Sequence, residues 1–97
     1  SSKEIILNIT EFDIVEALTE IRDTFKPQSL SQEIEISICD SMKEKSTMIR
    51  SDKNKLIQVY SSLTSNALKF TKEGYIKLCF EVKDSEYVFS VVDSGME

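Results

Sequence analysis

The chain has no histidine, no tryptophan, one proline and two glycines among its 97 residues. Lacking histidine, it can support neither Ser-His-Asp nor Cys-His catalysis, has no imidazole metal ligand, and holds no imidazole to accept a phosphoryl group. Its two cysteines, Cys39 and Cys79, do not have CxxC spacing. A disulfide framework or zinc site therefore has no support, and the two read as buried or half-buried thiols in a reducing compartment. Apolar runs such as Ile5-Ile6-Leu7 are only a few residues long, where a membrane span needs roughly 20 and a signal peptide roughly 7 to 15. Basic residues are also few: 12 against 17 acidic, for a net charge of −5. That leaves no concentrated basic face for a phosphate backbone, so nucleic acid is not an expected partner.

What is present fits one small packed domain. Hydrophobic content of 40% and charged content of 30% are close to globular averages. A domain of this size buries only about 60–65% of the surface its unfolded chain exposes, so its stability should be modest.

Residues 4–9 are β-prone and predict a first strand. Asp13 then begins a helical pattern in which Ile14, Leu18, Ile21 and Phe25 recur at spacings of four, three and four. Asp13 can cap the first turn and Glu16 completes an acidic capping box. Pro27 either ends this helix near Phe25 or kinks it on its way to about Gln32, and the kinked form is favoured. Glu33-Ile34-Glu35-Ile36-Ser37 alternates strictly and predicts a strand that Ile38 and Cys39 extend. Residues 40–46 predict a loop, and Thr47 to Arg50 a short extended piece. Ser51 or Asp52 caps a second helix whose buried stripe is read as Leu56, Val59, Tyr60, Leu63 and Ala67. After Gly74, residues 75–82 and 87–93 alternate as two strands joined by a hairpin loop at 83–86. The order strand, helix, strand, strand, helix, strand, strand implies an α+β fold: a two-layer α/β sandwich with a mixed, mostly antiparallel sheet and both helices on one face.

Two features carry chemistry. Ser62, Asn66 and Lys69, spaced by four and three, form a polar strip on the second helix, beside Leu63 and Ala67. An amide oxygen there can enter a magnesium shell, and a lysine one turn on can neutralise phosphate oxygens. Alternatively, Asn66 bonds a local turn and Lys69 is simply solvated. Asp93 shares a strand face with Phe89 and Val91 at the strand's end, where an unpaired charge is costly to bury, so its carboxylate needs a donor such as an exocyclic amine. Gly95 would let a backbone approach a flat ring, or Asp93-Ser94-Gly95 is only a turn after a strand.

The joint order of these features closely resembles the catalytic ATP-binding domain of sensor histidine kinases, in the fold family shared with DNA gyrase, Hsp90 and MutL. Lys55-Leu-Ile-Gln-Val-Tyr-Ser-Ser-Leu-Thr-Ser-Asn-Ala-Leu-Lys-Phe-Thr71 follows that family's helix motif almost position by position. Phe12-Asp13-Ile14, Lys26-Pro27, Glu33-Ile-Glu-Ile36 and Arg50-Ser-Asp52 extend the likeness over essentially the whole chain, 1–97.

Carried over by position, the resemblance implies a Bergerat-type fold in which Asn66 coordinates Mg2+ on ATP and Lys69 contacts the phosphates. Asp93 would accept from the adenine amino group, Gly95 would line the adenine pocket, and Ser62 would stand near the metal shell. It also implies a histidine on a separate dimerisation domain and a response regulator as partners. The expected setting is a cytoplasmic domain, whose parent can be membrane-anchored.

Two departures stand out. Ser62 replaces the motif's first asparagine, and Glu97 stands where Asp-x-Gly-x-Gly has its second glycine. The family's lid, further helix and last strand have no counterpart in these residues. The expectation is an incomplete domain, inactive alone, with an uncovered sheet edge through which two copies could pair. The alternative is a degenerate, non-catalytic regulatory domain of the same fold.

Overall fold

The computed structural model describes residues 4–39 and 46–94. In chain order it contains β1 (Thr10–Asp13), α1 (Ile14–Ser31), β2 (Ile34–Ile38), β3 (Met48–Ser51), α2 (Lys53–Phe70), β4 (Gly74–Lys83) and β5 (Glu86–Asp93). Element types follow the expected order, and the fold is α+β. The first strand, however, is Thr10–Asp13 rather than residues 4–9, which lie outside any strand. Local β-propensity in Ile5, Ile6 and Leu7 loses to pairing, because the partner β3 reaches only Thr10 to Asp13. The predicted loop at 40–46 lies mostly outside the described residues.

The five strands form two sheets. β1 pairs antiparallel with β3, and a three-stranded sheet has the order β2-β4-β5, parallel between β2 and β4 and antiparallel between β4 and β5. Asp84 and Ser85 both have positive φ, 53° and 65°. That is the two-residue hairpin turn whose twist matches the flanking strands.

Asp13 caps α1 by accepting from the amides of Val15 (2.9 Å) and Glu16 (3.3 Å), and it also accepts from the Thr47 hydroxyl at 2.7 Å. The Thr47 bond, followed by those two amides, holds its carboxyl below the usual range despite some opposing desolvation. α1 continues through Pro27 to Ser31. Pro27 removes one donor, and the helix survives because its first half buries Ile14, Leu18 and Ile21.

α1 packs on β2, and α2 packs on β4 and β5, with the helices also in contact. Between the layers lie Leu56, Tyr60 and Leu68 from α2 and Ile76, Leu78 and Phe80 from β4. Fully burying such a side chain contributes about 1.5–3 kcal/mol. Tyr60 joins the layers specifically. Its ring stands edge-on to Phe89 with centroids 6.0 Å apart, and its hydroxyl donates to the Cys79 carbonyl. Burial pushes its pKa upward.

Candidate functional site

Asp52 caps α2 by accepting from the Lys55 amide at 3.0 Å, and it also accepts from the Asn8 amide at 2.8 Å. The helix begins where the sequence places it. Its buried stripe is different: Leu56, Tyr60, Thr64, Ala67 and Leu68 are buried, whereas Val59 and Leu63 are 54% and 42% exposed. The helix is rotated so that Thr64 faces the core, a polar residue that a hydrophobic pattern passes over. Its hydroxyl is buried without a hydrogen-bond partner among the described residues.

That rotation changes the surroundings of the polar strip. Ser62, Asn66 and Lys69 are all exposed on α2. Beside Asn66 lies an exposed apolar strip of Val59, Leu63 and Phe70, spaced by four and seven residues. Asn66 therefore borders solvent-facing apolar surface rather than the core edge. The Lys69 ammonium lies 5.4 Å from the Phe70 ring centroid. Its position in the last turn of α2 also complements the negative end of the helix dipole.

Asp93 is the last residue of β5 and pairs with Ile76, so it is on the helix-facing side of the sheet, as the alternation predicts. It is exposed, however. The premise that burial obliges its carboxylate to find a donor is thus corrected, because water can solvate a charge at the sheet's end. Gly95 and Glu97 lie outside the described residues.

The two sequence features, far apart in the chain, are linked through a short connection. α2 ends at Phe70, the Thr71 amide donates to the Ala67 carbonyl, and β4 starts at Gly74. The residue after Asp93 is anchored to this connection: the Ser94 amide donates to the Tyr75 carbonyl at 3.0 Å, and the Ser94 hydroxyl to the Glu73 carbonyl at 3.1 Å. The C-terminal end of α2, carrying Asn66 and Lys69, and the C-terminal end of β5, carrying Asp93, are therefore tied to one loop. From sequence alone Gly74 only precedes a strand and Ser94 only follows one. No local signal links them, since their contact depends on the β4–β5 register.

The donor set suits a magnesium–nucleotide. Asn66 offers a hard amide oxygen and Lys69 a compact positive charge. Among the described residues there is no cluster of three or more Cys, Asp or Glu able to cage a metal alone. Magnesium typically keeps several waters and is held largely through phosphates with few protein ligands, so one amide oxygen is a fitting contribution. No helix is long and apolar enough to cross a membrane among the described residues.

No family model matches the chain. Among known proteins, Histidine kinase 1 of Arabidopsis thaliana is 31% identical over 77 residues, covering 79% of this chain and 6% of that protein. Full-length ShkA in complex with AMPPNP matches with a TM-score of 0.80 and 28% identity, over 90% of this chain and 19% of that one. The catalytic domain of the histidine kinase ThkA matches with a TM-score of 0.79 and 25% identity, over 93% of this chain and 60% of that one. ThkA in complex with the response regulator TrrA matches with a TM-score of 0.79 and 29% identity, over 97% of this chain and 28% of that one. The chain thus spans less than two thirds of each relative.

Proposed function

From the premise that this chain resembles histidine kinase catalytic domains in both sequence and fold, we propose that it is the ATP-binding module of a two-component sensor histidine kinase. The observation that carries this reading is the common anchoring of the Asn66 and Lys69 end of α2 and the Asp93 end of β5 on the loop before β4. In this role Asn66 contributes an oxygen to Mg2+ on ATP and Lys69 offsets phosphate charge. Asp93 accepts from the adenine amino group, and Gly95 lines the ring's pocket. Positioning and charge neutralisation are what phosphoryl transfer asks of such a domain, and no covalent intermediate on it is needed. The acceptor histidine lies on a separate dimerisation domain, since this chain has none. A response regulator then receives the phosphoryl group. ThkA's complex with TrrA supports that partner class.

With no histidine of its own, the chain does not phosphorylate itself. β5 is an edge of its sheet among the described residues, and a second copy can pair there. Isothermal titration with Mg–AMPPNP tests the reading of the isolated chain. A dissociation constant weaker than about 100 μM, roughly −5.5 kcal/mol, is expected, and tighter binding contradicts it.

Ser62 favours a second reading, a degenerate regulatory domain. It is exposed on the strip beside Asn66, but its side chain is shorter than the motif's asparagine. Introducing Ser62→Asn and Glu97→Gly into the full-length parent distinguishes the readings. ATP affinity gained from a null background supports degeneration; tight binding unchanged by the substitutions supports an intact kinase.

A further inference from the structure

Cys39 and Cys79, forty residues apart in sequence, stand side by side in the sheet. β2 and β4 run parallel with Ile38 opposite Leu78, and the Cys39 amide donates to the Leu78 carbonyl at 2.9 Å, carrying the ladder one residue further. The next residue of β4 is Cys79. Ile34, Ile36 and Ile38 share the helix-facing side with Ile76 and Leu78, so alternation puts both cysteines on the opposite face. Their thiols are in hydrogen-bond contact, and both residues are half-buried. Adjacent strands lie about 4.8 Å apart, inside the span of about 4.4–6.8 Å that a disulfide bridges between Cα atoms.

We propose that Cys39 and Cys79 form a dithiol modification site that a two-electron thiol oxidant, such as hydrogen peroxide, converts to an intramolecular disulfide stapling β2 to β4. The Cys39 thiolate attacks one peroxide oxygen and the O–O bond breaks. The departing hydroxide takes a proton to become water, leaving Cys39 as a sulfenic acid. The Cys79 sulfur then attacks the Cys39 sulfur, the S–O bond breaks, and the hydroxyl leaves with the Cys79 proton as a second water. Two thiols lose two electrons and two protons, and one peroxide becomes two waters. Burial pushes the Cys79 thiol up to about 12, so Cys39 is the one of the pair that meets the peroxide first. The bridge forms on the face away from Asn66, Lys69 and Asp93 and is independent of the nucleotide reading.

The test is intact-mass analysis and differential scanning calorimetry of the chain after stoichiometric hydrogen peroxide. Expected are a monomer lighter by two hydrogen atoms, loss of both thiols together, full reversal by dithiothreitol, and a Tm raised by several degrees because a long loop is closed in the unfolded chain. Cys79→Ser is expected to stop at a sulfenic acid that dimedone traps. Monomers heavier by one or two oxygens without hydrogen loss, predominantly disulfide-linked dimers, or a lowered Tm in the bridged form would overturn the proposal.

Discussion

Gly74 and Ser94 fit together only because Gly74 has no side chain: a Cβ at that position would lie 2.2 Å from the Ser94 hydroxyl oxygen. Gly74 also has φ +118°, a conformation that residues with a side chain rarely adopt. The close fit lets the Ser94 hydrogen bonds hold the end of β5 against the loop that leaves α2.

Gly74→Ala is therefore expected to destabilise the fold by about 1–3 kcal/mol, through backbone strain and the collision with Ser94. Ser94→Ala removes the collision with the hydroxyl oxygen, while the Ser94 Cβ at 2.9 Å and the backbone strain remain. The double variant should recover part of the loss, and chemical denaturation of the four proteins in a double-mutant cycle measures the coupling. Strictly additive effects would show that the two residues do not meet.

Thr64 gives a change in the opposite direction. Its hydroxyl is buried without a partner among the described residues, so Thr64→Val should stabilise by about 1 kcal/mol. In a domain of this size that corresponds to a Tm increase of roughly 4–8 °C, read by thermal denaturation. A lower Tm would mean that the hydroxyl finds a partner.

Tyr60 ties α2 to β4 through its hydroxyl and to β5 through its ring. Tyr60→Phe keeps the edge-on contact with Phe89 but leaves the Cys79 carbonyl without that donor. A loss of about 1–2 kcal/mol in urea unfolding is expected. No loss would show that the hydroxyl bond contributes nothing net.

The carboxyl caps impose a pH dependence. Asp13 and Asp52 both have folded pKa values below their unfolded ones, Asp13 chiefly through Thr47 and Asp52 chiefly through the Lys55 amide, then that of Asn8. A lowered folded pKa adds stability that is fully present above the unfolded value near 3.9 and is lost as pH falls through the folded value. Stability should thus decline below about pH 4. In Asp13→Asn the decline should be shallower, as measured by denaturant midpoints across acidic pH.

Much of this architecture was legible because helical periodicity and caps are local. Asp13 caps α1 as read, Asp52 rather than Ser51 caps α2, and Ile14, Leu18 and Ile21 are buried as spaced. The misreadings share a cause: they depend on partners distant in sequence. Ile5, Ile6 and Leu7 carry β-propensity but lack a paired strand. Val59 and Leu63 fit a helical stripe, yet Thr64 and Leu68 face the sheet. Asp93 lies on the side that alternation gives it, but its exposure follows from standing at the strand's end. The Cys39–Cys79 neighbourhood and the Gly74–Ser94 fit follow from strand register, which no short stretch of sequence encodes.

The most direct measurement is a 15N-resolved NMR titration of the chain with Mg–AMPPNP up to several millimolar. The expected result is weak, saturable shifts confined to the end of α2 at Asn66 and Lys69, the loop before Gly74, and Asp93 with Ser94. Shifts centred elsewhere, or none at the highest concentration, would contradict a nucleotide site at this end of the fold.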